Sequence, residues 1–407
     1  MVLRKFCDLH LHSRYSRATS EMMTFPEISR CAALKGLGIV GTGDSTHPKW
    51  VEEIKENLVQ EGNGFLRLKG SEDGILFVLS CEVSTIYQHN GSSKRIHHVL
   101  LQPDLECMEQ VNDLLCNFGD LASDGRPVLN CSSVELVEFV SEVSEWIEVF
   151  PAHAWTPHFS IFGLHGFDRI QDCYEDCANK IHSIETGLSS DPPMNWRLSS
   201  LDKYVLVSNS DSHSPWPWRL GREANIVDLK EESYRELILA LRREGESKLL
   251  GTIETHPEYG KYHWSGHRNC GIRFSPEETK AKGDLCPKCG KRLTKGVEQR
   301  VEELADRKKG FRPPGAAGFV HLLPLSEVIA AVYGIEYVNS AKVWQTYYKL
   351  IKGLGSEFTV MLEADPEKIE RLSDKKLAEA IIKVREDRLV VEPGYDGVYG
   401  KIKIGES

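Results

Sequence analysis

The chain has 407 residues, 41% of them hydrophobic and 27% charged, with a net charge of −10; it is too long for one ordinary core and predicts two or three domains. That balance is usual for a globular protein, and no run approaches the roughly 20 apolar residues of a membrane helix. The first residues have neither a long apolar core nor a small-residue cleavage site, so the expectation is a cytoplasmic protein without membrane contact.

In chain order, short apolar runs predict strands at 6–11, 38–42, 74–81, 96–102, 146–151, 181–185 and 204–208. Between them, helical periodicity covers 26–34, 51–59, 105–118 and 133–145, with Pro26 and Pro48 where a proline suits a helix start. This β–α alternation predicts an α/β fold, a mainly parallel sheet or barrel with helices outside. A charged amphipathic helix at 233–245 closes this region. A cysteine-bearing stretch, a helix at 297–309 and a breaker-rich linker at 312–318 follow, then helical patterns at 325–333, 341–353 and 366–384. The expected domains are a barrel over 1–250, a zinc-binding module over 251–296 and a helical C-terminal region over 297–407.

Residues able to bind metal fall at the downstream ends of the predicted strands. They are His10 and His12; Asp44 and His47; Glu82; His97 and His98; His153; and Asp211 and His213. In an αβ barrel these ends open onto one face, so residues distant in sequence converge. Side chains alternate along a strand, so His10 and His12 share a side, as do Asp211 and His213. A lone strand histidine is usually structural, but a series of six such ends predicts a metal centre. Mixed imidazole and carboxylate donors suit Zn, Mn or Fe, with Mg at oxygen-rich positions.

Of the eleven cysteines, Cys7, Cys31, Cys81, Cys107 and Cys131 lie singly in apolar runs and read as small buried hydrophobes. Cys286 and Cys289 differ. With His267 and Cys270 they have the spacing of a structural zinc site, in which Cys286-Pro287-Lys288-Cys289-Gly290 forms the knuckle and His263 is an alternative ligand. A redox Cys-x-x-Cys is disfavoured, because no thioredoxin-like βαβ surrounds it. The net charge argues against whole-chain affinity for nucleic acid, but from Lys261 to Arg312 fourteen Lys and Arg face seven Asp and Glu. Lys288, Lys291, Arg292, Lys295 and Arg300 in this segment predict a phosphate-backbone track.

His10-Leu11-His12-Ser13, the Gly43-Asp44 turn, Glu82, His98-Val99-Leu100, His153 and Asp211-Ser212-His213 resemble the ordered motifs of the polymerase-and-histidinol-phosphatase (PHP) family. The resemblance implies a distorted seven-stranded (β/α) barrel, followed here by the small zinc ribbon and the α-helical C-terminal region. It also implies up to three catalytic divalent metals besides the one structural zinc. By position, His10, His12, Glu82 and Asp211 would hold the first metal. Glu82 would bridge to a second, completed by His98 and His153, with His97 as the alternative to His98. His213 with Asp44 and His47 would hold the third. Two positions depart from the family pattern: its Thr-Asp-His is Gly43-Asp44-Ser45 here, and Arg17 replaces an Asp, so the third site is the weakest.

Longer segments are similar to the endonuclease Q family over almost the whole chain. They include 186–192 with 195–197, 208–215, 221–225, 286–290, 295–297, 312–314 and 321–325. That resemblance implies a DNA repair endonuclease that cuts on the 5′ side of uracil, hypoxanthine, xanthine and abasic sites, with Asp211, Glu82, His10 and His12 at the catalytic centre. Its partner would be duplex DNA bearing a damaged, flipped nucleotide, with single-stranded DNA as a further substrate. Reading a base edge requires extrusion of the base; Ser189, Asp191, Asn195 and Trp196 on the same rim are the expected pocket. Arg197, Arg219, Arg222, Lys291 and Arg292 are the expected phosphate contacts. The alternatives are a PHP phosphatase acting on a small phosphomonoester and a non-catalytic DNA-binding protein. Gln345-Thr346-Tyr347-Tyr348 does not fit a sliding-clamp motif.

Overall fold

The computed structural model describes residues 3–404. Each run of β-branched and aliphatic residues predicted above contains a strand: β1 (Leu3–Asp8), β2 (Ile39–Gly41), β3 (Leu76–His89), β4 (Ser92–Gln102), β5 (Glu148–Pro151), β6 (Ser183–Glu185) and β7 (Val205–Val207). β1, β2 and β3 pair in parallel, as β–α alternation demands. Pairing then continues antiparallel through β4 to β5. β6 and β7 form a separate parallel pair. Sparse bonds cross the two gaps: Ala154 N to Glu185 O at 2.9 Å between β5 and β6, and a Leu11–Ser212 bridge between the ends of β1 and β7.

The expectation of a mainly parallel sheet is corrected at β3 and β4. Asn90 and Gly91 sit at φ 51° and 74°, the two positive values that a tight type I′ hairpin turn requires. They fold β3 back on β4 in eleven antiparallel pairs. The sheet also extends beyond β1 through β8 (Ala224–Leu229), β9 (Lys248–Glu254) and β10 (Gly318–His321), strands that the sequence reading did not predict.

Pairing and packing run across the expected domain borders. β9 spans position 250, and β10, from the supposedly helical region, pairs with it in parallel. Helix Val297–Leu304 inserts Val297 and Val301 into the core formed by Val83, Leu129 and Tyr174. A final hairpin, Val390–Glu392 with Lys401–Lys403, lies against the cysteine module through a Trp264–Tyr395 bridge. The helices Leu325–Tyr333, Ala341–Leu354, Pro366–Leu372 and Lys375–Arg385 are present, the last two separated by an Asp374 cap. Their apolar faces share one core with Val40, Trp50 and Phe77. At that junction Lys35 Nζ, buried, lies 2.7 Å from Glu357 Oε1, which also accepts the Leu325 N–H.

Candidate metal centre

β1 runs out at Asp8, and the next turn carries His10 and His12 inward with side chains essentially inaccessible. β7 ends at Val207 and delivers Asp211 to the same point. Single donor atoms of His10, His12, Glu82 and Asp211 all lie within 4.8 Å of one another, as do those of Glu82, His97 and His153. Glu82 therefore belongs to both sets, one oxygen to each. Its Oε1 is 2.9 Å from His97 Nδ1 and 3.0 Å from His153 Nε2; its Oε2 is 3.3 Å from His12 Nε2 and 3.7 Å from His10 Nε2.

The other side of three of the four imidazoles is tied down. His10 Nδ1 is 3.1 Å from both oxygens of Glu185, and His12 Nδ1 is 3.0 Å from Asp44 Oδ1. His153 Nδ1 meets Thr156 Oγ1 at 2.9 Å. A carboxylate behind an imidazole fixes its tautomer and aims the free nitrogen. That aim has no target among the described residues: His10 Nε2, His12 Nε2 and Asp211 Oδ1 are buried without hydrogen-bond partners there. Orphaned polar atoms that converge are costly, and a divalent cation between them satisfies all three at once.

Strain accompanies the arrangement. Asp44, His153 and Asp211 sit at φ 44°, 29° and 47°, left-handed conformations that cost a non-glycine residue energy and cluster at functional sites. Gly187 is obligatory beside them, since a Cβ there would lie 2.7 Å from that of His153.

Electrostatics makes the cluster a place where positive charge is held. Burial opposes charge on His10 and His12. Glu185, Glu82 and Asp211 outweigh it at His10, and Asp44 leads at His12, so both are pushed well above the ordinary histidine range. Burial would raise the Glu82 carboxyl, but His97, Arg126 and His10 hold it well below its usual range; His10 and His12 do the same for Asp211. Cations replacing those protons release them, so occupancy falls with acid.

Several expected ligands lie elsewhere. His98 is corrected to His97. In the β3–β4 register Glu82 opposes Val99 and His97 opposes Ser84, so Glu82 and His97 share a face and His98 points to the other. There His98 bonds Tyr174 Oη at 2.9 Å and Thr85 Oγ1 at 3.0 Å, and burial lowers it to about 3. The third set is not brought together. Asp44 spends its second oxygen on Ser13 and Ser16, His47 stacks on Tyr15 at 4.7 Å, and His213 turns Nδ1 to the Asp211 carbonyl at 2.9 Å.

The expected base pocket is likewise corrected. Asn195 accepts from Trp155 Nε1 at 2.8 Å and donates to Asp191 O and Ser190 Oγ, leaving little capacity to read a base. Asp191 caps the turn Pro192–Asn195 and pairs with His321. Trp196 packs on Phe319, and Arg197 holds Glu302 at 2.7 Å. In this structure these side chains are engaged within the protein. Ser189 is half-buried on the same loop; Arg222 is buried with its Nε unpartnered; Lys291 and Arg292 are exposed.

Two contributors escaped the sequence reading. Glu185 ends a predicted strand, which was the available signal. Arg126, whose Nη1 is 2.9 Å from Glu82 Oε2, comes from a loop with no pattern to flag it.

The second cluster is His267, Cys270, Cys286 and Cys289, with donor atoms within 4.8 Å of one another. His267 leaves the hairpin Ser265–His267/Ile272–Phe274, and left-handed Gly271 and Gly290 follow the two Cys positions. Burial opposes the Cys286 thiolate, but the Lys288 and Cys289 amides and His267 bring the thiol down to about 6. Between this module and the barrel runs a groove of about 660 Å³ lined by Trp155, Leu164, Arg292, Lys295 and Arg300. Lys295 and Arg300 are paired with Glu303 and Asp168.

Comparison with known proteins places these features in context. A family model described as the MJ0043 C-terminal domain matches residues 324–388. The uncharacterized protein MJ0043 of Methanocaldococcus jannaschii is 34% identical over 258 residues, 61% of this chain but 31% of that protein, so the chain spans about a third of its length. The uncharacterized protein YqxK of Bacillus subtilis is 28% identical over 417 residues, covering 98% of this chain and 99% of its own. The lesion-specific endonuclease PfuEndoQ of Pyrococcus furiosus superposes with a TM-score of 0.89 at 34% identity, over 99% of this chain and 96% of that one. Endonuclease Q in complex with a 27-mer duplex substrate, an abasic lesion at its active site, gives 0.88 at 34% identity, over 99% and 97%.

Proposed function

The chain belongs to the endonuclease Q family, and from that membership and the Glu82-bridged donor cluster we propose a DNA repair endonuclease that hydrolyses the phosphodiester 5′ to uracil, hypoxanthine, xanthine or an abasic site. The observation that carries the reading is Glu82, with one oxygen toward His97 and His153 and the other toward His10 and His12. Two divalent cations sharing that carboxylate would supply hydroxide at neutral pH and neutralise the phosphate charge as the 3′-oxygen leaves.

The remaining steps fall to the protein. Glu185 and Asp44 hold His10 and His12 with Nε2 outward, so the ligands need no reorganisation. Arg126, partly exposed at the mouth, fixes the Glu82 carboxylate and adds a positive charge where the phosphodiester must approach. No nucleophilic Ser or Cys is required. The cysteine module holds one structural zinc, and its exposed Lys291 and Arg292 bind duplex backbone; the surface pair of Arg292 with Asp284 is weak enough to exchange for phosphate.

Strand-labelled duplexes carrying uracil, hypoxanthine or an abasic site, incubated with Mg or Mn, test this reading. The expected product is a nick with a 3′-hydroxyl, the lesion remaining on the downstream fragment. Intact duplexes together with rapid turnover of p-nitrophenyl phosphate would overturn it in favour of a small-substrate phosphatase.

A further inference from the structure

A third convergence of donors lies outside both clusters, where the sheet edge meets the C-terminal helices. His256 follows β9, His321 ends β10, and Asp387 follows helix Lys375–Arg385. β9 and β10 are paired in parallel with Glu254 opposite His321, which brings the two histidines side by side with rings stacked at 4.2 Å. Asp387 reaches both: its Oδ1 is 2.9 Å from His256 Nε2 and its Oδ2 is 3.2 Å from His321 Nδ1. Donor atoms of the three lie within 4.8 Å of one another.

We propose that His256, His321 and Asp387 form a binding site for a borderline divalent cation, zinc by preference, which ties the sheet edge to the C-terminal helices.

Three observations support it. First, His256 Nε2 is 2.9 Å from the carboxylate yet makes no hydrogen bond. The two atoms lie beside each other without pointing at each other. The same holds for His12 Nε2 and Asp211 Oδ1, 3.0 Å apart. Ligands of one tetrahedral zinc, each about 2.0–2.1 Å from the ion, sit roughly 3.3 Å apart, close to both spacings. Second, the outer nitrogens face carboxylates. His321 Nε2 is 3.2 Å from Asp191 Oδ2, and His256 Nδ1 is 4.0 Å from Glu258 Oε2. This repeats the way Glu185 and Asp44 back His10 and His12, an arrangement that orients metal-bound imidazoles. Third, Asp387 holds φ 55° just past a helix end, a position where glycine costs least; the chain instead keeps an aspartate whose carboxylate faces the two rings.

Two histidines and a carboxylate suit zinc, or cobalt as its probe, better than Mg or Ca, which take oxygen ligands. Half of the Asp387 side chain is exposed, so water completes the coordination and the cation enters from solvent. The rival state has no cation. Burial then disfavours charge on His321, but Asp191 and Asp387 outweigh it and push the imidazole up to about 10, giving an ion-pair clasp at the same place.

The full chain, stripped with a chelator and dialysed against zinc, distinguishes the two by elemental analysis. Asp387→Asn, chosen because the residue is exposed and nearly isosteric, and His256→Gln should each bind one zinc per chain fewer than the parent. Zinc should raise the melting temperature of the parent more than that of either variant. Equal zinc content in all three proteins would overturn the proposal. So would an Asp387→Asn destabilisation of the same size in chelator and in zinc, since an ion pair alone then accounts for the cluster.

Discussion

Glu82 lies in a long hairpin whose neighbours Cys81, Val83 and Leu100 belong to a large apolar core, whereas Cys286 shares a core with only Phe274 and Leu293. Ligands around Glu82 come from segments as distant as His10 and Asp211; ligands around Cys286 all come from 267–289. Around Glu82 the apolar core holds the strands whether or not a cation is bound, and the imidazoles of His10, His12 and His153 have their outer nitrogens already fixed. In the cysteine module few apolar side chains are present to offset the ordering of the chain, so on the proposed reading a bound cation would supply much of what closes it. On the proposed reading the first region is a fold that would make a metal site, and the second a metal site that would make a fold.

That contrast predicts different consequences of damage. Asp211→Asn should lower incision of a uracil-containing duplex by about 10³-fold or more, on the order of 4 kcal/mol of transition-state stabilisation, while the thermal transition stays near that of the parent. Unfolding of the barrel in this variant would break the contrast. Cys286→Ser should behave in the opposite way. Limited proteolysis should open the 261–296 segment, and incision should suffer mainly as a higher KM for duplex, with kcat within a few-fold of the parent. Glu185→Gln should shift the manganese concentration for half-maximal incision upward by roughly 10–100-fold, the usual effect of losing a partner behind a metal-bound histidine. Smallest is His98→Gln, which should cost about 1–2 kcal/mol in chemical denaturation through its hydrogen bonds to Tyr174 and Thr85. Incision by His98→Gln should stay near the parental rate, whereas His97→Gln should lose it.

The positions of β1 to β7 were legible because each contains a short β-branched or aliphatic run, whereas the short strands Leu58–Gln60, Leu66–Leu68 and Val128–Leu129 among them were missed. β8 and β9 were passed over, and β10 was hidden behind the 312–318 breaker segment, so the sheet's extension escaped. Most of the donors that converge were legible from strand ends alone. The choice between His97 and His98 was legible too, but only through the turn. Counting back from a two-residue Asn90-Gly91 hairpin places Glu82 opposite Val99, so His97, not His98, shares its face. The family pattern pointed to His98. Asp44 illustrates a different limit. Sequence marks it as an ionisable residue at a strand end, but only geometry reveals that it serves His12 from behind and leaves the third set unassembled. Asn195 and Trp196 looked like base readers because both are chemically suited to it; hydrogen bonding to Trp155 and packing on Phe319 were invisible in one dimension.

The account rests on Glu82 as a carboxylate shared by two cations. Anomalous diffraction from crystals soaked in manganese measures this directly. Two peaks about 3.5–4 Å apart, one beside His10, His12 and Asp211 and the other beside His97 and His153, with an oxygen of Glu82 on each, are the predicted result. A single peak that Glu82 does not touch, or none at this cluster, would contradict it.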